Sequence, residues 1–214
     1  MTNQQFHTKW GLLLPLAGIL AFILLYFIAA MLYPGGSQAN ASSTGFSWLH
    51  NYWCNLLNEK AMNGKPNTAR PVAITGMFVL CISLAIFWYQ FAGAMKFTPV
   101  VKTSIRISGV LSMITGLFLY SKYHDSIINI SGVLGMFAIA GTFVGLYKNK
   151  WLRLFWFGLF NFALIGLNNF IYYTHQLEYL PVIQKVTFFS FLLWVSLMII
   201  RLYKEGRRDV ALSQ

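Results

Sequence analysis

Residues 45–59, with the sequence GFSWLHNYWCNLLNE, concentrate side chains that could do chemistry. They include a histidine, a cysteine, three asparagines and several aromatic rings. A plain connector between two apolar segments needs none of these groups. We therefore expect this stretch to fold back over the mouth of a helical bundle and to contribute to a site there.

Further histidines and carboxylates are predicted to lie on the same face of that bundle. Imidazole and carboxylate groups are ligands of catalytic zinc, where three protein ligands leave one position for water. A metal-bound water can approach a pKa of about 7 and become a nucleophile. Zinc is the metal that such a set favours, although the sequence leaves the cofactor open. The predicted metal ligands are His50, His124, His175 and Asp125.

The same residues could do acid–base work without a metal, with His124, Asp125 and Glu178 as catalytic groups. The sequence has no HExxH, CxxC or GxSxG motif. Residues 124 and 125 cannot both point the same way on a regular helix. Three interpretations therefore stay open: hydrogen bonds that tie the loop to the bundle rim, a metal or acid–base site, and pH sensing or ligand gating.

Composition indicates that the chain is a membrane protein, whose helices position these residues. The chain has 214 residues, of which 57% are hydrophobic and only 10% are charged, whereas soluble domains carry about 25% charged residues. A bilayer core of about 30 Å needs about 20 apolar residues per helix, and this chain has room for six such spans. We predict an all-α fold, in which residues 1–214 form one polytopic integral membrane bundle of six transmembrane helices.

The apolar segments, and the proline and glycine residues at their ends, give the predicted boundaries of the membrane spans. The Tyr33-Pro34-Gly35-Gly36 run ends the first span, which is too long for a signal peptide and is not followed by a clear cleavage site. Pro71 begins the second span, since proline is favoured in the first turn of a helix. A connector at 176–185 precedes the last span. The predicted spans are about 10–32, 72–95, 104–123, 126–147, 151–175 and 186–203, with a long outer loop at 34–71.

Charge predicts the orientation. Sixteen basic residues against five acidic ones give a net charge of +11. The basic residues cluster at one set of span ends, as expected at the cytoplasmic face. Both termini should therefore be cytoplasmic and the 34–71 loop should lie outside. The clustering argues against nucleic acid as a partner and favours membrane lipid, with the bacterial inner membrane as the expected location. The oligomeric state stays open.

Small residues in the third and fourth spans predict close helix contact. With little hydrophobic drive between helices in lipid, small side chains mark the faces where helices approach. The two stripes are Ser104, Ser108, Ser112 and Thr115, and Ser131, Gly135, Ala138, Thr142 and Gly145.

The fifth span carries a polar line instead. Asn161, Asn168 and His175 are seven residues apart, with Tyr172 between the last two. Polar side chains at membrane depth usually face the bundle interior or a cavity. The line predicts either hydrogen bonds between helices or a polar cavity that opens outward. The predicted pocket-lining residues are Asn51, Cys54, Asn161, Asn168 and Tyr172.

The order of these features resembles a known family. After the Pro/Gly break the loop reads F-S-x-x-x-N-x-x-C-x-L, followed by NGKPNTARP, by Gly76-Met77, and by a His-Asp pair at the next outer turn. Over nearly the whole chain this resembles the bacterial and archaeal membrane proteins called domain of unknown function 998. It more distantly resembles the eukaryotic Frag/DRAM/Sfk-like six-span proteins, which are linked to lipid-anchor remodelling and to autophagy. The resemblance implies six helices and an outward-facing polar site, and it supplies no reaction.

A looser similarity is to the membrane hydrolases grouped with alkaline ceramidases, which use a serine, an aspartate and three histidines around zinc. The chain has that inventory, and the similarity implies a catalytic role for Ser47. Those enzymes have seven spans and paired histidines on one late helix, which this sequence lacks. The residues concerned are Ser47, His50, His124, Asp125 and His175.

Three functions follow as hypotheses. The first is a lipid-modifying, metal-dependent hydrolase or acyl-transfer enzyme with its site at the outer face. The second is a non-enzymatic binding or sensing protein with a lipid or small-molecule pocket under the outer loop. The third is a transporter, which ranks last because the polar line of the fifth span does not clearly reach the cytoplasmic end.

Overall fold

The computed structural model describes residues 10–212, with the backbone only for Asp125 and for residues 207–212. Within this range the prediction of an all-α fold is confirmed, because no strand is formed between residues 10 and 212. A short 3-10 helix, Trp53–Leu57, lies in the long loop between the first two helices. The α-helices are α1 (Leu14–Leu32), α2 (Arg70–Ala94), α3 (Pro99–Gly116), α4 (His124–Lys148), α5 (Leu152–Tyr173) and α6 (Leu180–Leu212).

Apolar surface dominates the outside of these helices, and Met31, for example, is 83% exposed. Such a surface needs lipid rather than water around it. Among the described residues, five helical segments are long and apolar enough to cross a bilayer, which supports the predicted membrane character. They are Leu14–Leu32, Arg70–Ala94, Ser126–Lys148, Leu152–Tyr173 and Leu180–Gly206.

The third helix differs from its predicted span of 104–123. It begins at Pro99, because proline is favoured in a first turn, where its missing N–H has no helical partner to lose. It ends at Gly116, and the chain continues in turns, as in the bond from the Leu119 N–H to the Gly116 carbonyl at 3.2 Å. The helix therefore lies closer to the preceding connector than hydropathy indicated.

The sixth helix is longer at both ends than the predicted 186–203. Pro181 occupies its first turn and does not interrupt a connector, so Lys185, predicted to lie in the connector, is inside the helix. At the other end Arg201 and Glu205 form an ion pair one turn apart, at 2.9 Å. Trp151 Nε1 donates to the same carboxylate at 3.1 Å. These contacts continue the helix past its apolar part.

Successive helices pack side by side from α1 to α4, α5 packs on α6, and α6 returns to contact α1 and α2. The predicted stripes of small residues meet at the α3–α4 contact. Ser112 Oγ donates to the Ser131 carbonyl at 2.8 Å, and Ala138 and Thr142 are fully buried. The prediction of close helix contact is confirmed.

Two cations of α3 bind the carbonyl end of α2. Lys102 Nζ donates to the Gly93 carbonyl at 3.2 Å, and Arg106 Nε donates to the Tyr89 carbonyl at 3.2 Å. The Arg106 guanidinium also lies over the Tyr89 ring, 4.3 Å from its centroid. Positive charge is favourable at a helix C-terminus, where the dipole is negative. This explains why α3 carries charges near its start.

Candidate functional site at the capped end of the bundle

The loop between α1 and α2, residues 33–69, folds into a structure that we call the α1–α2 cap. Asn51 lies at its centre and is fully buried. Its Nδ2 donates to the Gly36 carbonyl at 2.9 Å, and its Oδ1 accepts from the Ser47 N–H at 2.8 Å. A side-chain amide can donate and accept at once, so one asparagine holds two distant loop segments together.

Asn67 closes the other side of the cap. Its Nδ2 donates to three carbonyls, those of Asn55 and Leu56 at 3.1 Å and that of Asn58 at 2.9 Å. Its Oδ1 accepts from the Ala69 N–H at 3.1 Å. Both asparagines satisfy backbone groups that the cap, having little regular structure, cannot pair with one another.

The cap is also bonded to the ends of its two flanking helices. The Met62 N–H donates to Tyr33 Oη at 2.9 Å, and Arg70 Nε donates to the Leu57 carbonyl at 3.1 Å. Burial raises the pKa of the Tyr33 phenol, and the bond from Met62 partly lowers it again. The phenol is therefore protonated at neutral pH. Thr68 Oγ1 donates to the Leu32 carbonyl, directly at the end of α1.

Trp53 inserts from the cap between α1 and α6. Its ring lies 5.0 Å from Tyr26 of α1 and 5.4 Å and 4.9 Å from Phe188 and Phe189 of α6, measured between centroids. The Trp53 backbone N–H donates to Gln184 Oε1 at 3.2 Å. Because Trp53 is only 7% exposed, its indole forms part of the bundle core.

Lys185 follows Gln184 in the first turns of α6 and is 6% exposed. Its Nζ donates to the Asn51 carbonyl at 2.5 Å and to the Pro181 carbonyl at 2.7 Å. The ring of Phe46, another cap residue, has its centroid 5.9 Å from Nζ. A buried ammonium group thus joins the cap to α6. Lysine is almost never so buried without a partner that compensates its charge.

Three buried side-chain polar atoms have no hydrogen-bond partner among the described residues. They are Tyr26 Oη, Trp53 Nε1 and Asn161 Oδ1. Two of them belong to the adjacent rings of Tyr26 and Trp53. A buried polar atom without a partner costs about 1–3 kcal/mol, so the occurrence of two such atoms on adjacent rings calls for an explanation.

The structure brings together two of the predicted site residues in the cap, Ser47 and His50. Ser47 Oγ lies 3.2 Å from His50 Nδ1, and it also accepts from the His50 N–H at 3.2 Å. Both residues are half-buried. The pair is three residues apart in one turn, and local serine–backbone bonds of this kind are common in turns.

The remaining predicted catalytic and metal-binding residues lie at helix ends. His124 is the first residue of α4 and is half-buried. The side chain of Asp125 lies outside the described part of the chain. Glu178 and His175 are exposed, in the connector between α5 and α6.

The backbone of His175 has a role that the sequence did not reveal. Its φ of 58° is in the left-handed region. The His175 N–H donates to the Tyr172 carbonyl at 3.2 Å, and the Gln176 N–H donates to the Ile171 carbonyl at 3.1 Å. These bonds are those of a Schellman cap, in which glycine is the usual residue. The backbone at this position therefore ends α5.

Within the described residues, no three histidine, cysteine, aspartate or glutamate side chains are grouped closely enough to hold a metal ion. Because the side chain of Asp125 is not among those described, the predicted zinc site that includes it stays a prediction. The described residues provide no support of their own for zinc.

The predicted pocket-lining residues of α5 differ in burial and in hydrogen bonding along the helix. Asn161 is 2% exposed, and its Oδ1 is one of the unpaired atoms. Asn168 Nδ2 donates to Thr187 Oγ1 of α6, which is the interhelical hydrogen bond expected for such a line. Tyr172 is 57% exposed.

Tyr172 and Cys54 are neighbours of Tyr52 in the cap. Partial burial, followed by the proximity of Cys54 and Tyr172, raises the pKa of the Tyr52 phenol. The phenol is therefore a hydrogen-bond donor at neutral pH. The role of Cys54 and Tyr172 as pocket-lining residues stays a prediction.

Sequence reasoning missed Lys185, Gln184 and Tyr26. A lysine and a glutamine near a proline were assigned to a connector, where their exposure would be ordinary. Tyr26 carries a hydroxyl within an otherwise apolar stretch of the first span. A polar group at that depth usually has a function, so Tyr26 is the one residue of the three that the sequence could have identified.

No protein-family model matches the sequence, and comparisons with curated proteins and with solved structures found no match either. The resemblance to domain of unknown function 998 therefore stays a prediction.

Proposed function

We propose that this protein binds an amphiphilic ligand, a lipid or a lipid-like small molecule, beneath the α1–α2 cap without transforming it. The observation that carries the proposal is the pair of unpaired polar atoms, Tyr26 Oη and Trp53 Nε1, on adjacent buried rings. A binding site keeps polar groups that are costly in the empty protein and are satisfied by the ligand. The surrounding rings of Phe22, Phe188 and Phe189 would contact the apolar part.

Firm attachment of the cap supports a site of this kind. Asn51 and Asn67 fix its backbone, and Lys185 and Gln184 bond it to α6. Trp53 is the cap residue that enters the bundle. A ligand that contacts Trp53 would therefore be sensed by the cap, and the cap would report binding to whatever lies outside the membrane.

Ligand-dependent stabilisation tests the proposal. A ligand that binds only the folded state stabilises it by RT ln(1 + [L]/Kd), which is about 2.7 kcal/mol at one hundred times Kd. We would measure thermal unfolding of the detergent-purified protein with phosphatidylethanolamine, phosphatidylglycerol, cardiolipin, diacylglycerol and palmitate. At least one probe should raise the melting temperature. If none does at saturating concentration, the proposal fails.

Trp53→Phe is the matched variant. It keeps an aromatic ring against Tyr26, Phe188 and Phe189 and removes the indole N–H. The response to the effective probe should decrease, while the protein without ligand should stay folded. An unchanged response would show that Trp53 Nε1 does not contact the ligand.

A second function, hydrolysis or acyl transfer, is favoured by the Ser47–His50 contact. A serine within hydrogen-bond distance of an imidazole is the minimum arrangement of an activated nucleophile. A fluorophosphonate probe should then label the native protein and not Ser47→Ala. Absence of labelling in the native protein would leave binding as the function.

We also infer that α3 is a sixth span and that both termini face the cytoplasm of a bacterial inner membrane. Eighteen residues extend about 27 Å at about 1.5 Å per residue, close to the bilayer core. Lys102 and Arg106 lie at the end where α2 finishes, where they bond to its carbonyls. Alkaline phosphatase fused after residue 121 should be active and fused after residue 149 should be inactive. The reverse pattern would refute this orientation.

A further inference from the structure

Lys185 is a buried cation that the described side chains do not neutralise. The described carboxylate of Glu59 lies 3.5 Å from Arg70, and that of Glu205 pairs with Arg201. Among residues 10–206, no side-chain carboxylate described by the structure lies within ion-pair distance of Lys185. Its two acceptors are neutral carbonyls, which compensate a buried charge less well than a carboxylate does.

Lys185 and the residues connected to it carry hydrogen-bond donors that the described residues do not use. An ammonium group has three N–H donors, of which two are used. Gln184, its neighbour, uses Oε1 to bind the backbone of Trp53, and the Trp53 indole N–H has no partner among the described residues. Tyr26, whose ring adjoins that of Trp53, adds a hydroxyl that no described residue bonds. Lys185 is thus connected through Gln184 to two residues, Trp53 and Tyr26, whose buried polar groups lack a described partner.

We infer that the ligand beneath the cap has an anionic head, a carboxylate or a phosphate, which binds Lys185. The inference rests on the proposed function and names the chemical class of its ligand. Oxygen anions accept several hydrogen bonds at once and form stronger bonds with charged donors than neutral acceptors do. The head would satisfy Lys185 and the donors of Trp53 and Tyr26, and the aromatic rings below would contact the alkyl chain.

The binding site also couples the ligand to the cap. Lys185 Nζ holds the Asn51 carbonyl, and Asn51 in turn holds Gly36 and Ser47. An anion that accepts the third N–H of Nζ would share the ammonium group with that carbonyl. Occupation of the site would therefore act on the centre of the cap directly.

The test compares palmitate with methyl palmitate, and dodecyl phosphate with dodecanol, by thermal unfolding of the native protein in an uncharged detergent. The two anions should raise the melting temperature, and the two uncharged partners should bind at least tenfold more weakly. Inorganic phosphate distinguishes a free anion from a lipid head, because only a site for the free anion responds to it without a chain. These comparisons need no variant.

Lys185→Gln should weaken the palmitate response at least tenfold, and Lys185→Arg should largely retain it. Lys65→Gln, which removes an exposed cap lysine, should leave the response unchanged. Equal binding of charged and uncharged probes, or full retention in Lys185→Gln, overturns the anionic head but leaves the proposed binding function. A native protein that responds to no amphiphile overturns both.

Discussion

Removal of the Tyr26 hydroxyl should stabilise the protein without ligand, which is the opposite of the usual effect of a core substitution. Tyr26 is 2% exposed, and its Oη has no partner among the described residues. A buried hydroxyl of this kind costs about 1–3 kcal/mol. Tyr26→Phe keeps the ring contacts with Phe22 and Trp53 and loses one oxygen, so the void it leaves is small. We expect a gain of about 1–2 kcal/mol.

Tyr33→Phe is the matched control, seven residues further along the chain. Tyr33 is also buried, at 3% exposed, but its Oη accepts from the Met62 N–H at 2.9 Å. The same chemical change there leaves a cap N–H without its acceptor. We expect a loss of about 1 kcal/mol. The two substitutions should therefore have opposite signs, although both residues belong to the same buried cluster.

Thermal unfolding in detergent, followed by tryptophan fluorescence, measures both variants. For a chain of this length 1 kcal/mol corresponds to about 2–4 °C. Tyr26→Phe should therefore melt about 2–8 °C above the native protein, and its response to the effective ligand should be reduced. If Tyr26→Phe melts below the native protein, as Tyr33→Phe does, the hydroxyl is satisfied in the folded state. The proposed site beneath the cap would then lose its main support.

Substitutions at three further positions test the fold. His175→Gly should stabilise the protein by about 1 kcal/mol, because the residue has a left-handed φ of 58°. His175→Ala should bring no such gain, and the melting temperatures of the two variants, measured by thermal unfolding, show the difference. Gly109→Ala would place a Cβ 2.5 Å from Cγ of the buried Trp88. The free energy of unfolding should therefore fall by about 1–3 kcal/mol in the same assay, and an unchanged melting temperature would refute the close α2–α3 contact. Asn67→Asp replaces a donor to three carbonyls with an acceptor. Trypsin should therefore cut the cap of this variant faster than the cap of the native protein in a limited digestion. Equal cleavage rates would contradict the role of this amide.

Hydropathy and small-residue spacing predicted the bundle well because both depend on local physics. A helix in lipid must be apolar over a length set by the bilayer. Close packing in lipid requires small side chains on one face, so Ser112, Ser131, Ala138 and Thr142 could be assigned to a contact before the partner helix was known. The predicted helix ends were less accurate at Pro99 and Pro181. Both prolines lie in the first turn of a helix, but proline is also common in connectors, so the sequence did not distinguish the two cases.

The structure shows where the predicted site residues lie, and their roles stay predictions. Ser47 and His50 lie together in the cap. The backbone role of His175 at the end of α5 was not predicted, because a left-handed φ cannot be recognised from a histidine in the sequence. Lys185 was overlooked because a lysine near a helix end usually extends its amine to water.

By itself the sequence determined that the helices are apolar enough for a membrane, the order of the six α-helices that the structure describes, and the unusual set of side chains in residues 45–59. The tertiary structure decided how that stretch is attached to the bundle. Lys185 and Asn51 are 134 residues apart in the chain, and they meet because Pro181 starts α6 early enough to place a lysine beneath the cap. Hydrogen bonds over such separations depend on where helices begin and how they pack, and these properties belong to the folded chain as a whole.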